Sequence, residues 1–490
     1  MRARGELFMV GQSRWPPGRD AVESAAFAWL DAHRQDLVDK TAALLRIESV
    51  EAPPEPGRPF GPGVGAALEF VDRLAREFGL ETANVDGHAV HAHWGPRAPF
   101  VGVLTHVDVV PAGGGWSVPP FGGVVIDGRI YGRGAIDNKG PTVASLFALA
   151  ALAAAGAPVK RGLRLIVGGD EETGFQCLRH YFKRQPYPEM AFSPDAVFPL
   201  VFAEKGILDL TLALPSPGPV MVSLRGGQRP NVVPDEAEAR LQLPPGESPA
   251  EWQGRLVAAA ASKRRAQITL ESDAGNPAHF RVKSRGVATH GSTPEKGVNA
   301  AAELLACLVE ADAGRGLVDP SGTLAFLARA GSGIYGEGLG IAARDDVSGV
   351  LTCNLGVLRL EGRELSATFN IRYPVSLACA AALLAKAAEQ VREAGGRIVD
   401  ASDDPPHHVP EDSFIVRTLL EVYRQETGDD TPPLAIGGGT YARLVPGAVA
   451  FGPVFPFSGI VPHEKDENIE IEHLRRLARL YAAALWALAR

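Results

Sequence analysis

The chain has 490 residues, 46% of them hydrophobic and 22% charged, with a formal net charge of −8. That length exceeds what one core supports and implies two or three domains of an ordinary globular protein. The acidic balance, with no basic cluster, argues against a nucleic-acid partner, and the four cysteines (Cys177, Cys307, Cys353, Cys379) form no C-x-x-C pair, which excludes a cysteine-based zinc site and suits a reducing, cytoplasmic compartment.

In chain order, residues 1–20 carry positive charge without an apolar run behind it, so they read as a disordered extension and not as a signal peptide. Ala21 to Ile47 reads as helix. Phe100 to Val110 is a near-continuous apolar strand of the kind buried on both faces. Gly140 to Ala155 reads as a helix, and its apolar run, Val143 to Ala157, is too short to span a bilayer; no membrane partner is expected. Leu163 to Val167 reads as strand and Thr173 to Arg184 as helix. This βαβα rhythm predicts an α/β unit with a mostly parallel, doubly wound sheet over residues 21–206.

The pattern then changes. Strands at Leu208 to Leu214, Ala237 to Leu243 and Leu365 to Ile371 interleave with helices at Pro249 to Ala261, Asn299 to Ala311 and Leu377 to Ala394. This predicts an α+β insert over 207–405. The first unit resumes over 406–490, with helices at Ser413 to Thr427 and Glu472 to Ala489.

The chemistry-bearing motifs follow apolar runs of the first unit, where an α/β sheet places its functional loops; the last motif lies far downstream. His106-x-Asp108 on a strand would share one face, so the carboxylate could hold one imidazole nitrogen while the other binds a metal. Gly134-x-x-Asp137-x-Lys139-Gly140, Asp170-Glu171-Glu172-x-Gly174, Ser193-Pro-Asp195 and Pro462-His463 follow. Singly, each has a plainer reading. The Asp170 run suits a solvated loop before a helix, Asp137 a turn among glycines, Asp195 a turn cap and His463 an exposed loop. Their joint order is what points to a site. The remaining histidines receive no role: His88, His91 and His93 on a hairpin near a sheet edge, His407 and His408 in a linker, and His33, His180, His279 and His473 on solvated faces.

Together these motifs resemble the metallopeptidase M20 family. The likeness spans nearly the whole chain after about residue 20. Gly349-Val-Leu-Thr352, Phe369-Asn-Ile-Arg372-Tyr-Pro374 and Gly437-Gly-Gly-Thr-Tyr-Ala-Arg443 look most like its PepV-type dipeptidases (the Xaa-His dipeptidase or Sapep type). The resemblance implies a catalytic domain interrupted by a lid domain. It implies that His106 and Asp195 bind one metal, that Glu172 and His463 bind a second, and that Asp137 bridges them, with Asp108 orienting His106. It also implies a cis peptide between Asp137 and Asn138. An all-N/O donor set suits two zinc ions, with manganese or cobalt as alternatives.

Glu171 is then the general base, since neighbours on an extended stretch face opposite ways and leave it toward the attacking water. In the insert, His290 of Gly286-Val-Ala-Thr-His-Gly-Ser-Thr-Pro294 matches an oxyanion donor. Asn231 matches a substrate-binding asparagine, Arg372 a carboxylate clamp, and Gly438 lies in a glycine run whose backbone can approach substrate. Two positions depart from the family pattern: Pro119 stands where an acid is usual, and Asn138 where PepV-like members commonly have aspartate.

The expected function is therefore hydrolysis of unblocked dipeptides by a monomer. An N-acyl or N-succinyl amino acid amidohydrolase and a non-catalytic metal-binding scaffold are the alternatives.

Overall fold

The computed structural model describes residues 20–490 apart from 274, 457 and 460. The expectation of a disordered extension lies outside the described residues, except for Asp20. Its carboxylate accepts from the Glu23 main-chain N–H at 2.9 Å and so caps the helix Ala21–Ala32.

The chain folds as two compact units. One runs to Phe202 and takes up Val409–Leu434 and Thr440–Arg490; the other comprises Ala203–His408 and Ala435–Gly439. The crossings fall after Phe202 and His408, where the sequence reading put 206 and 405. The strand Val201–Glu204 runs on through the first of these points, and His407–His408 pairs back onto its end, His407 with Glu204 and His408 with Ala203. The two histidines expected in a linker are therefore a strand.

In the first unit, Glu81–Val85, Ala89–Trp94, Gly162–Gly168, Phe100–His106, Met190–Ser193, Val449–Ala450 and Val201–Glu204 lie side by side in that order. Pairing is parallel through the four central strands and antiparallel at both flanks. The helix Lys139–Ala154 packs on the strands Phe100–His106 and Gly162–Gly168. It is covered in turn by Ala21–Ala32, Arg34–Leu45 and Ile471–Ala489. Enclosed on all sides, it is apolar all round rather than on one stripe.

Four local expectations change. The helix read over Ala21 to Ile47 breaks at His33 into two. The apolar strand stops at His106, because Val107 and Val109 turn their N–H groups to the carbonyls of Gly168 and Ser49. The helix read over Thr173 to Arg184 shrinks to Gln176–Tyr181, with Phe175 left-handed at φ 62°. His473, expected on a solvated face, is buried; its Nε2 lies 2.8 Å from the Pro453 carbonyl.

The second unit is an eight-stranded antiparallel sheet built of two similar halves. Each half begins with a hairpin, Met221–Gly226/Glu236–Gln242 or Thr352–Glu361/Glu364–Tyr373. A helix follows (Pro249–Ala261 or Ala381–Glu393), then an outer strand. The fourth strand is Asn276–Arg285 in one half and Gly206–Pro215 in the other. Leu208, Leu210, Trp252, Leu304, Leu355 and Phe369 belong to the core of this unit. Among the described residues no helix is long and apolar enough to cross a membrane.

Candidate metal centre

Five metal-ligating candidates of the sequence reading meet in the first unit. His106 ends its strand fully buried, and its Nε2 lies 3.1 Å from Asp137 Oδ1 and 3.6 Å from Asp195 Oδ1. His463 Nε2 lies 3.0 Å from Asp137 Oδ2 and 3.1 Å from Glu172 Oε1. The two oxygens of Asp137 thus face different imidazoles. Donor atoms of His106, Glu171 and Asp195 lie within 4.8 Å of one another, as do those of Asp137, Glu172 and His463. Glu171 therefore stands among the donors of the His106 half as well as beside Glu172.

Each ligand is placed by its own local device. Asp137 precedes the helix Lys139–Ala154, and the Asp137–Asn138 peptide is cis. Asn138 donates through Nδ2 to the Pro194 carbonyl at 2.5 Å and to Asp195 Oδ1 at 3.1 Å. The Asn138 amide thus helps fix Asp195. Asp170 is a cap: its two oxygens accept from the main-chain N–H groups of Gln176 and Cys177 at 2.8 and 2.7 Å, pinning the loop that carries Glu171 and Glu172. His463 has φ 67°, a left-handed conformation that non-glycine residues seldom adopt and that clusters at functional sites.

Asp108 acts differently from the expectation. It lies beyond the strand end, so the same-face argument does not apply to it. Its main-chain carbonyl is 3.0 Å from His106 Nδ1, and its carboxylate Oδ1 stands off at 3.3 Å. The other carboxylate oxygen accepts from the Glu172 N–H at 3.0 Å, tying that loop to the strand end.

The donor set fits two divalent cations. Bonds of 2.0–2.1 Å to a tetrahedral ion put neighbouring donors about 3.3–3.4 Å apart, and the four histidine–carboxylate contacts run from 3.0 to 3.6 Å. Four carboxylates (Asp137, Glu171, Glu172, Asp195) carry the charge that two such ions would balance. The electrostatics agree. Burial, then Asp195, pushes Glu171 well above the usual carboxylate range. Burial and Asp137 push Glu172 up to about 7 and Asp195 up to about 6. Asp137 goes the other way: hydrogen bonds with His106 and His463 outweigh its burial and hold it low. Against their own burial, the carboxylates raise His106 well above its usual value and His463 to about 11. Such a cluster favours added positive charge.

Two buried groups beneath the centre, Arg133 and Glu467, have no place in the sequence reading. Glu464, Asp466 and Glu467 crowd the four positions after His463, and spacing alone does not choose among them.

The second unit gathers the remaining candidates. Val232 and His290 pair as an antiparallel bridge, and the Gly291 N–H donates to the Asn231 carbonyl at 2.7 Å. The Ser292 main-chain N–H donates to His290 Nδ1 at 3.2 Å, and Ser292 Oγ lies 2.6 Å from that nitrogen. Since an N–H can only donate, Nδ1 is the acceptor and the ring proton sits on Nε2. Arg372 is buried; its Nε donates to Asn370 Oδ1 at 2.8 Å and its Nη1 to the Gly437 carbonyl at 2.7 Å. In the glycine run, the position that sterics demand is Gly437, where a Cβ would meet Ser292 Cβ at 2.8 Å. At Gly438 it would meet only Ile436 Cδ1, at 3.6 Å.

An α/β unit with clustered carboxylates and imidazoles at its strand ends, interrupted by an antiparallel insert, is the architecture of a metal-dependent peptidase. The sequence pattern of peptidase family M20/M25/M40 matches residues 102–487, and the chain belongs to that family. It is 38% identical over 469 residues to a Bacillus subtilis (strain 168) protein named "Putative dipeptidase YtjP", covering 93% of this chain and 98% of that one. A Staphylococcus aureus (strain USA300) protein of the same description is 32% identical over 471 residues, covering 93% and 97%. Two solved structures share the fold. Human carnosine dipeptidase 1 has a TM-score of 0.56 at 15% identity, with 96% of this chain and 99% of that one covered. The aminoacylhistidine dipeptidase of Vibrio alginolyticus has 0.53 at 16%, covering 95% and 98%.

Proposed function

We propose that this peptidase is a dipeptidase that hydrolyses unblocked dipeptides at a two-cation centre, with zinc as the fitting metal. The observation that carries this reading is Asp137, whose two carboxylate oxygens each face the Nε2 of a different histidine. In this reading His106 and Asp195 hold one ion, Glu172 and His463 the other, and Asp137 stands between them. Bound there, the ions supply Lewis acidity toward the attacking water and the scissile carbonyl.

The chain's own residues do the rest. Glu171 takes a proton from the water at its carboxylate and passes it to the leaving amine. Asp108 steadies the His106 ring through its carbonyl and the Glu172 loop through its carboxylate. His290, with its proton on Nε2, donates to the oxyanion that develops on the carbonyl oxygen. Arg372 and Asn231 orient the substrate, Arg372 through its C-terminal carboxylate, and the backbone at Gly438 lies against the peptide. We assign the enzyme to the cytoplasm as a monomer; its four cysteines are unpaired.

The test is a substrate panel. Chelator-treated enzyme, restored with zinc, is offered free dipeptides, N-acetyl and N-succinyl amino acids, and N-blocked dipeptides. Zinc-restored cleavage confined to free dipeptides supports the assignment. Cleavage of the acylated amino acids alone makes the enzyme an amidohydrolase, and two bound metals with no amide cleaved would leave a scaffold.

A further inference from the structure

The two halves of the centre are built differently. His106 sits on a strand end, whereas His463 rides on a loop in a left-handed conformation with its side chain about half exposed. Something must hold that loop against the Asp137 turn. Directly beneath lies an ion pair between Arg133 and Glu467, whose side chains are 2% and 0% exposed and 2.8 Å apart.

The guanidinium reaches four acceptors. Nη1 donates to Glu467 Oε2 and to the Glu464 carbonyl at 3.0 Å; Nη2 donates to the carbonyls of His463 at 3.2 Å and Ala112 at 3.3 Å. Its planar fork lies 5.2 Å from the centre of the Trp116 ring. The other oxygen of Glu467 accepts from the main-chain N–H groups of Ile136 and Asp137 at 3.0 and 3.2 Å. One charged pair thus grips the backbone of both His463 and Asp137. Among these bonds none goes to the strand end that carries His106 or to the segment that carries Asp195.

A buried pair of this kind is a poor source of stability, because taking both charges out of water offsets most of their attraction. Its worth lies in geometry, and the geometry it fixes is that of the His463 loop and of Asp137, the one carboxylate that faces both histidines. We propose that Arg133 and Glu467 are positioning residues that latch the His463 loop to the Asp137 turn, so that the ion at Glu172 and His463 depends on them more than the ion at His106 and Asp195, which shares only Asp137 with that half. This rests on the two-cation reading above. Loss of the latch loosens the ion at Glu172 and His463 more than the other, since partners behind metal ligands typically set affinity by about 10–100-fold.

The experiment is zinc titration of metal-stripped full-length protein by calorimetry, with bound zinc counted by mass spectrometry, on wild type, Arg133→Lys and Arg133→Met/Glu467→Gln. The double variant removes both charges together and keeps an amide oxygen for the Ile136 and Asp137 N–H groups; the lysine variant keeps the charge without the fork. His463→Ala and His106→Ala serve as references for loss of each half. The latch predicts two ions in wild type. In both latch variants it predicts one ion weakened by about 10–100-fold and the other weakened less, with the metal-stripped proteins unfolding near the wild-type temperature. Adding His463→Ala to the double variant should cause little further loss of zinc beyond His463→Ala alone, because both act mainly on the same ion. Equal weakening of both ions, or unchanged binding of both, overturns the proposal. A wild type that binds a single ion would sink the two-cation reading itself, and is recognised before any variant is compared.

Discussion

Replacing Glu171 by glutamine separates the role assigned to it from the role its neighbours play. The side chain keeps its size and loses the ability to take up a proton. It is partly buried; that burial first, then Asp195, Glu172 and Asp137, push its proton affinity up. Removing its charge therefore has two effects of opposite sign. As general base it is worth about 10²–10⁴ in rate, or about 3–5 kcal/mol of barrier, so kcat should fall by that factor with KM little changed. In metal-stripped protein at neutral pH the unfolded state ionises this carboxyl freely and the folded state resists it. That mismatch destabilises the native fold, so Glu171→Gln should unfold at a higher temperature than wild type. Steady-state kinetics on a free dipeptide, zinc counting and thermal unfolding of stripped protein together decide. Two zinc ions retained, turnover nearly lost and a raised unfolding temperature are expected. Near-normal kcat, or loss of one ion with the turnover, would refute the assignment; the second result would make Glu171 a ligand of the His106 half.

Other expectations test separate parts of the account. Burial, with Arg164 and His93 nearby, lowers the His91 pKa from 6.5 to about 3. The folded state then resists a proton that the unfolded state accepts, so the contribution of His91 is complete above pH 6.5 and is lost as pH falls below it. The loss reaches about 2 kcal/mol at pH 5, and urea unfolding of stripped His91→Gln should show a flatter pH dependence over that interval than wild type. Asp170→Ala strips the N–H groups of Gln176 and Cys177, the second of them buried, of their acceptor and should lower stability by about 1–3 kcal/mol while reducing kcat. Asp170→Asn should recover part of both, and unchanged kinetics in the alanine variant would show that the pin does not matter to the glutamates. Arg372→Lys cannot keep both the Asn370 and Gly437 contacts and should raise KM for free dipeptides more than it lowers kcat; an unaltered KM would remove Arg372 from the substrate.

Much of the centre could be read from the chain because its donors sit where an α/β sheet ends its strands, and motif order distinguishes such a set from solvated loops. His106, Asp137, Glu172, Asp195 and His463 come together in one unit as read. What escaped the reading depends on individual atoms. A two-residue spacing suggested that the Asp108 carboxylate holds His106, but the strand stops two residues short of Asp108 and the main-chain carbonyl lies closer. Acids before a helix favoured a longer helix at Thr173, whereas the Asp170 side chain takes the N–H groups that would have opened it. His473 sits in a charged stretch, and only the packed structure shows its ring buried near a carbonyl. Arg133 and Glu467 are more than 300 residues apart, and no local pattern joins them. The grouping of Ala435–Gly439 with the second unit is equally invisible to a linear reading, because it depends on the pairing of Lys205 with Ile436 and of Arg372 with Gly437.

The paired cation centre is tested most directly by anomalous scattering at the zinc edge from crystals of zinc-loaded protein. Two peaks about 3.5–4 Å apart are predicted, one bonded to His106 and Asp195 and one to Glu172 and His463, with Asp137 touching both. A single peak, or two peaks that do not share Asp137, would contradict it.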